Sequence, residues 1–165
     1  MTVYKVTANQ VAFSLKSRGK ATKETIVAGL IKGAFAGKVI LIKRTPVDEG
    51  LMKASWAVIV MPNGAKLINS APHSGIIEAG SRPHWPNQAA IREWVVRHRK
   101  SFGVSKGRGK KGKAAAEAEI DQITFAICRK IAKHGTKPHW VVRGALPKLG
   151  RIANKAIQVE IRRNA

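Results

Sequence analysis

Acidic residues are scarce in this chain. Its 165 residues include nine Asp and Glu against 31 Lys and Arg, which gives a formal net charge of +22 at pH 7. A surface of this sign attracts polyanions such as nucleic acid, anionic lipid or an acidic protein surface. The hydrophobic fraction of 44% is nevertheless that of a globular protein and too high for a disordered one.

Cysteine and aromatic residues are also few. The single cysteine, Cys128, excludes an intrachain disulfide framework and fits a reducing cytoplasm. It lies beside the apolar stripe of a predicted helix, which favours a place in the core. The nine aromatic residues form no RNA-binding signature, so the sequence does not support sequence-specific nucleic-acid readout.

Long uninterrupted apolar runs are missing as well. The most apolar stretch, Ile26 to Ile42, contains Lys32 and Lys38, and each lysine costs about 2.5–3.5 kcal/mol at the centre of a membrane helix. Its length of about 17 residues is marginal for a membrane span. Met1 to Gln10 lacks the basic start and apolar run of a secretion signal. We therefore expect a buried helix of a soluble protein and no membrane partner.

No catalytic constellation is evident. A hydrolase needs a nucleophile with a base, a carboxylate pair or a metal site. Asp48 and Glu49 are adjacent, but they follow Pro46 in a turn, where acids usually cap or are solvated. The five histidines lack zinc-site spacing, and only His84 and His139 could meet, if two similar segments are neighbours in space. We expect neither an enzyme nor a metal or other cofactor.

An N-terminal helix is the longest element predicted in the first half of the chain. Its pattern runs from Ala21 to about Arg44, and Pro46 forces it to stop. Gly29, Gly33 and Gly37 repeat at i, i+4 and i+8, although each glycine costs about 1 kcal/mol relative to alanine in a helix interior. This spacing predicts close packing of one helix face on a sheet or a neighbouring subunit.

Short strands and further helices are expected after that helix. Residues 55–61 (SWAVIVM) and 65–70 (AKLINS) predict two strands joined by a hairpin turn at Pro62–Gly64. The other expected elements are an edge strand beginning at Val3, a break at Ser17–Lys20, a strand or helical turn at Ser74–Ala79, and helices at Asn87–Lys100, Ala114–His134 and Ala145–Arg162. The residues by themselves therefore predict a basic α+β domain.

Apolar stripes predict the buried faces of the last two helices. The stripe of the first comprises Ala116, Ile120, Ile123, Ile127 and Ile131, and that of the second comprises Leu149, Ile152, Ala156 and Val159. Between the helices that begin near 87 and 114, Gly103–Lys113 (GVSKGRGKKGK) predicts a flexible basic loop. Its cations are candidate contacts to DNA or to an acidic partner, and they are Lys106, Arg108, Lys110, Lys111 and Lys113.

One short segment occurs twice. Gly80–Trp85 (GSRPHW) and Gly135–Trp140 (GTKPHW) share a glycine, a hydroxyl, a cation, a proline, a histidine and a tryptophan in the same order. Six residues are too few to prove duplication. We interpret the two copies as similar turns, each placing its tryptophan in the core.

The segment Thr45–Trp56 (TPVDEGLMKASW) resembles a signature of the tail-completion proteins, also called head–tail joining or neck proteins, of long-tailed double-stranded DNA bacteriophages. That signature typically reads T-P-V-D-T-G-x-L-x-x-S after a long helix. The matching positions are Thr45, Pro46, Val47, Asp48, Gly50 and Ser55, and Trp56 follows them. Glu49 stands where threonine is usual, and Leu51 stands one place early.

Two further blocks resemble the same family in the same order. Asn69–Gly80 (NSAPHSGIIEAG) is similar to N-x-A-P-Y-A-x-x-V-E-x-G-T, and Gly135–Leu146 (GTKPHWVVRGAL) is similar to G-T-x-P-x-P-F-x-R-P-A-L. His73, Ser74 and Gly144 depart from these patterns. Among the matching positions are Asn69, Ala71, Glu78, Gly80, Gly135, Pro138 and Arg143. The long spacing between the blocks resembles members with a helical insertion.

The resemblance implies an α+β fold with a long N-terminal helix packed on a small antiparallel sheet, a helical insertion and a C-terminal helix. It implies a single domain over residues 1–165 with the insertion at about 85–134. It also implies a virion structural protein of the phage neck, assembled in the host cytoplasm, which forms a homo-oligomeric ring, often a hexamer. The ring would join the portal-side connector to the tail terminator or tail tube, and its basic surface would face passing genomic DNA or acidic neighbours.

The motif positions would then be structural, because the family has no catalytic residues. Pro46 would end the helix, Asp48 and Gly50 would shape the turn, and Ser55 and Trp56 would begin the sheet. Two alternatives remain open at this point. The charge alone also fits a basic nucleic-acid-binding module without catalytic activity, whereas an enzyme such as a nuclease lacks the carboxylate or histidine constellation it would need.

Overall fold

The computed structural model describes residues 2–4 and 22–164, and the chain divides into two compact units. Unit 1 comprises residues up to Ala79 together with those from Pro138 onward, and unit 2 is Gly80–Lys137. The helical insertion predicted at about 85–134 lies within unit 2. The break predicted at Ser17–Lys20 lies outside the described residues.

The first helix of unit 1, α1, is Lys23–Arg44. The hydroxyl of Thr22 accepts a hydrogen bond from the Thr25 amide at 3.3 Å, which satisfies one of the unpaired amides at the helix start. The helix ends at Thr45, which is extended because the ring of Pro46 disfavours the helical conformation in the residue before it. Both predicted ends are confirmed to within two residues.

A three-stranded antiparallel sheet, in the order β1–β3–β2, accompanies α1 in unit 1. Its strands are β1 (Thr2–Tyr4), β2 (Trp56–Met61) and β3 (Gly64–Asn69). Met61 pairs with Gly64 across a two-residue turn, so the predicted hairpin is confirmed. The sheet, the long helix before β2 and the long helices after β3 confirm the α+β fold class.

The C-terminal helix, α6 (Leu146–Arg163), covers the glycine face of α1. A Cβ placed on Gly29 would lie 2.5 Å from the Cα of Ile157, and one on Gly33 would lie 2.8 Å from the Cα of Ala153. A Cβ on Gly37 would lie 2.9 Å from Cδ2 of Leu149, the movable end of a side chain rather than backbone. The helices therefore run antiparallel at a distance that no larger residue permits on α1. The partner of the glycine face is the chain's own last helix, rather than mainly a sheet or a neighbouring subunit.

By length and hydropathy alone, α1 is a helix that could cross a membrane. In unit 1, however, its buried residues include all three glycines of the face covered by α6. One face of α1 is therefore packed inside unit 1, whereas 28% of its most apolar window is buried and Phe35 and Val39 are more than half exposed.

The buried stripe predicted for α6 is wrong by a rotation of the helix. The buried residues are Leu149, Ala153, Ile157 and Glu160, whereas Val159 is 52% exposed. The small residues of α1 select which side of α6 can approach, and apolar spacing alone does not contain that information. Glu160 also escaped the apolar pattern because it is charged, although its carboxylate is neutralised by Lys32 at 2.6 Å.

Two short helices complete unit 1: α2 (Leu51–Ala54) and α3 (Ser74–Ala79). Of the two alternatives for residues 74–79, the helical turn is therefore correct. The core of unit 1 is formed by Leu41, Met52, Trp56, Leu67, Ala71, Val141, Val142, Ala145 and Leu149. An apolar cavity of about 40 Å³ lies between α1, β3 and α6, which is far below the size of a metabolite site.

Unit 2 consists mainly of two helices, α4 (Gln88–Arg97) and α5 (Gly109–His134), with a 3-10 turn at Arg99–Phe102. The side chain of Asn87 caps α4 by accepting from the Ala90 amide at 3.2 Å. The core of the unit is formed by Val95, Val104, Ala116 and Ile120. Cys128 is fully buried, as predicted.

The basic segment 103–113 is only partly a loop, which corrects the prediction. α5 begins at Gly109, five residues earlier than predicted, so Lys110, Lys111 and Lys113 are helical. Gly109 and Gly112 suggested a loop, but the first amides of a helix have no partner in any case, and lysine is a good helix former. The buried stripe that starts at Ala116 supports the helix that these residues extend.

The first copy of the repeated hexapeptide lies in unit 2, the second begins in unit 2 and continues into the second segment of unit 1 at Pro138, and neither copy buries its tryptophan. Ser81 and Thr136 pair in an antiparallel bridge, with amide-to-carbonyl distances of 3.2 and 3.3 Å, and their hydroxyls lie 3.0 Å apart. Trp85 is 54% exposed and Trp140 is 37% exposed, so the predicted core positions are wrong. The hydrogen bonds of the bridge use the second residue of each copy, while the core of unit 1 is already filled by Trp56.

Candidate functional site

The first motif block closes the end of α1. The hydroxyl of Thr45, a residue that is 3% exposed, donates to the Leu41 carbonyl at 2.7 Å and accepts from the indole N–H of Trp56 at 2.8 Å. A buried indole N–H without an acceptor is costly. Thr45 therefore supplies both the cap of the helix and the partner that lets Trp56 enter the core.

The second block ends β3 with a buried amide. The side-chain NH₂ of Asn69 donates to the Met52 carbonyl at 2.8 Å, and its oxygen accepts from the Ala71 amide at 3.0 Å. Asn69 is only 2% exposed. It satisfies two buried backbone groups, one of them in α2, and so fixes the exit of the sheet relative to that helix.

Glu78 connects the second block to the third. Its carboxylate oxygens accept from the amides of Val142 and Arg143, each at 2.9 Å, and the residue is 7% exposed. Hydrogen bonds to an ionised acceptor are about twice as strong as neutral ones. Glu78 thus holds the segment that leads into α6, across 64 residues of sequence.

The three polar side chains described so far, Thr45, Asn69 and Glu78, are termed the motif network. Each member satisfies buried backbone or indole groups at a junction between elements, and none is paired with a nucleophile or a general base. Within residues 2–4 and 22–164, no group of three or more His, Cys, Asp or Glu is placed to hold a metal ion. The hydrogen bonds of this arrangement hold backbone segments at the junctions of unit 1.

The remaining positions of the first block lie at the surface or shape the turn. Val47 is 59% exposed and Asp48 is exposed, while Pro46 is half-buried. Gly50 has φ of +83° and precedes α2 directly, a conformation that favours glycine. Ser55 donates its hydroxyl to the Leu51 carbonyl at 2.7 Å and ends α2, one residue before the sheet begins.

The remaining positions of the later blocks lie at chain reversals. Gly80 and Gly135 both have positive φ, 75° and 67°. Pro138 begins the second segment of unit 1. The guanidinium of Arg143 lies 4.2 Å from the ring centre of Trp140, a cation–π contact on the surface.

The five cations predicted to contact DNA or an acidic partner are all exposed in unit 2. Lys106 and Arg108 precede α5, and Lys110, Lys111 and Lys113 form its first turns. These cations lie at the N-terminal end of α5, where the helix dipole is positive and additional positive charge is unfavourable. Two acids of α5 are engaged by Arg92, which donates to Asp121 at 2.8 Å and also to Glu117. The hydrogen bond to Asp121 makes the largest contribution to raising the pKa of Arg92, and the hydrogen bond to Glu117 makes the next largest.

A second basic surface was not singled out from the sequence. Four exposed cations follow one side of α6, opposite its buried residues, and they are Lys148, Arg151, Lys155 and Arg162. These four are termed the α6 ridge. Their spacing of three, four and seven residues is helical and was therefore readable in advance. The apolar spacing predicts a stripe that is displaced around α6 from the buried residues and shares Leu149 with them, so it does not show which side is left to the cations.

Large apolar residues are exposed on unit 1, and sequence reasoning missed these as well. Phe35 and Val39 lie on α1 and are 52% and 51% exposed, and Ile59 and Val60 lie on the edge strand β2. In the sequence they are indistinguishable from core residues, since both elements also contribute to the core. Phe35 and Val39 are four residues apart and therefore lie on the same side of α1.

An exposed aromatic pair lies in unit 2. The rings of Trp85 and Phe125 are 6.0 Å apart between centroids, and both side chains are more than half exposed. Basic residues of α5, including Arg129 and Lys133, line a shallow groove with Phe125.

Comparison with known proteins adds no relative: no family model, curated protein or solved structure matches this chain.

Proposed function

We propose that this protein is a structural component of the neck of a long-tailed double-stranded DNA bacteriophage, forming a ring that joins the head connector to the tail. The observation that carries the proposal is the motif network. Thr45, Asn69 and Glu78 come from the blocks that resemble the tail-completion family, and each is buried at a junction of unit 1.

The placement of these residues supports a structural rather than a catalytic role. A catalytic motif converges on a cleft and presents reactive groups to it. Here the conspicuous polar groups of the motif are consumed by backbone and indole partners, at distances of 2.7–3.0 Å. A motif that specifies junctions is what a protein needs if its work is to present a fixed shape.

The exposed apolar residues of unit 1 support assembly with other chains. A closed ring uses two different patches on each subunit, which meet head to tail. Phe35 and Val39, four residues apart, share one side of α1 and offer one apolar patch. Val60 on the edge strand β2 offers a second apolar contact, whereas the adjacent Ile59 lies on the opposite face of the sheet. A net charge of +22 opposes self-association, so assembly requires salt or an anionic partner.

The test is the size of the purified full-length protein by light scattering in high salt, alone and with candidate head-connector and tail-terminator proteins. We expect a ring-sized oligomer or a stable complex with one of these proteins. A chain that stays monomeric throughout and binds none of them contradicts the proposal. A monomer that binds duplex DNA with a steep salt dependence would instead support the alternative, a basic nucleic-acid-binding module.

Surface variants sharpen this experiment. Phe35→Gln and Val60→Gln remove apolar side chains that are 52% and 54% exposed, so folding of the monomer should change little. We expect either variant to reduce oligomer formation. Val159→Gln on α6 is the matched control, with the same exposure of 52% on a different surface. Equal behaviour of all three variants would show that these two patches do not form the ring contact.

A further inference from the structure

The α6 ridge is a row of cations at fixed separations. Lys148, Arg151, Lys155 and Arg162 occupy one side of a continuous 18-residue helix. At 1.5 Å per residue the row is about 21 Å long. All four side chains are exposed, so the row is available to a partner as a single rigid surface.

No acid of α6 neutralises the ridge. The only acidic residue of the helix, Glu160, is 6% exposed and lies on the opposite side. Its carboxylate is 2.6 Å from the ammonium of Lys32 on α1. The carboxylate of α6 is thus directed inward, away from the ridge.

The apolar side of α6 is already occupied. Leu149, Ala153 and Ile157 are buried against the glycine face of α1. A basic amphipathic helix commonly binds a membrane by inserting its apolar side into the lipid. In this protein that insertion would require α6 to leave the core of unit 1, so the folded chain offers only the electrostatic side.

We propose that the α6 ridge binds the phosphate backbone of duplex nucleic acid without sequence specificity. Duplex DNA carries one negative charge per about 1.7 Å, so roughly twelve phosphates lie along the length of the ridge. Because the backbone of α6 is already a continuous helix, it loses little conformational entropy when the lysines and arginines of the ridge contact this polyanion. The inference deepens the proposed function, because it assigns the surface that faces passing DNA, and it rests on that function for its biological setting.

The test is binding of a short fluorescein-labelled duplex of arbitrary sequence to the full-length protein, followed by fluorescence anisotropy over a series of salt concentrations. The variant replaces Lys148, Arg151, Lys155 and Arg162 by Gln, which has a similar helix propensity. We expect affinity at low salt to fall on the order of tenfold to a hundredfold. The slope of log K against log salt should become shallower by about 3 to 4, since each lost phosphate contact removes about 0.9.

A variant of unit 2 provides the matched control. Replacing Lys106, Lys110, Lys111 and Lys113 by Gln removes the same charge from the other basic surface, so a purely general effect of net charge would be equal in both proteins. We expect the control to lose much less affinity and to keep a steeper salt slope. Equal losses in the two variants, or no loss in the ridge variant, would overturn the inference. Thermal unfolding of both proteins checks that the fold is retained.

Two further measurements, vesicle binding and ring assembly, separate this inference from lipid binding and from the neck proposal. If the ridge variant loses binding to phosphatidylserine vesicles but keeps its affinity for the duplex, the surface is a lipid surface and the inference is wrong. If the variant still assembles into rings but no longer binds the duplex, the inference is supported. If the ridge variant loses assembly but keeps duplex binding, the inference fails while the neck proposal stands. If the unchanged protein never assembles but binds DNA through the ridge, the inference is supported and the neck proposal fails.

Discussion

Unit 1 and unit 2 are stabilised in different ways. In unit 1, buried polar side chains join segments that are far apart in the sequence, as Glu78 does across 64 residues, and two helices meet at glycine. In unit 2, two helices share an apolar core that includes Val95 and Ile120, and the ion pairs of Arg92 are exposed. Most of the motif positions, and the whole motif network, lie in unit 1. The core contacts of unit 2 join residues 95–120, which are closer in the sequence than the segments that Glu78 joins in unit 1.

The largest expected difference in the free energy of unfolding is between substitutions of a buried asparagine in unit 1 and an exposed asparagine in unit 2. Asn69→Ala in unit 1 leaves the Met52 carbonyl and the Ala71 amide buried without partners, and we expect it to lower the free energy of unfolding by about 4 kcal/mol. Asn87→Ala in unit 2 removes only a helix cap and should cost about 1 kcal/mol. Chemical denaturation measures both. Similar costs for the two substitutions would contradict the contrast between the units.

The contact between α1 and α6 predicts the next effect. Gly29→Ala places a Cβ 2.5 Å from the Cα of Ile157, and the forced separation of the helices should cost about 2 kcal/mol. Gly150→Ala is the control, because a Cβ at this position of α6 meets nothing within 4 Å. It should stabilise by about 1 kcal/mol, since alanine is the better helix former. Thermal unfolding decides the sign for each variant, and a stabilising Gly29→Ala would refute the close packing.

Cys128 reports on unit 2 separately. Its thiol is fully exposed only when α5 opens, because the residue is 0% exposed in the folded unit. We expect Ile120→Ala, which removes part of the core of unit 2, to speed modification by a thiol reagent more than tenfold, as a loss of about 2–4 kcal/mol predicts. Gly29→Ala should leave the rate nearly unchanged. Equal acceleration by both variants would show that the two units open together.

The exposed ion pairs of unit 2 should matter least. Arg92 is surface-exposed, and its bonds to Asp121 and Glu117 compete with water and salt. Arg92→Gln should lower the melting temperature slightly at low salt, and the difference from the unchanged protein should disappear at high salt. A difference that persists in high salt would mean that these pairs do more than attract through solvent.

Local patterns predicted several elements correctly for reasons that reside in the chain itself. Pro46 stops α1, Pro62 and Asn63 form the hairpin turn between β2 and β3, and the apolar repeat of α5 places Ala116 and Ile120 in a core. The predictions were wrong where another segment of the chain determines the local structure. The buried side of α6 depends on the glycines of α1, and the helical start of α5 depends on a stripe that begins several residues later.

The sequence by itself determined the α+β class, the long first helix, the hairpin, the buried cysteine and the strong positive charge. Each follows from spacing, turn chemistry or composition, which act within a few residues. Only the tertiary structure decided that Gly29, Gly33 and Gly37 receive α6, that Glu160 turns inward to Lys32, and that the α6 ridge is therefore left facing solvent. The physical reason is that the side of a helix that becomes buried depends on the shape of the segment that packs against it. The apolar spacing along one helix gives no information about that segment.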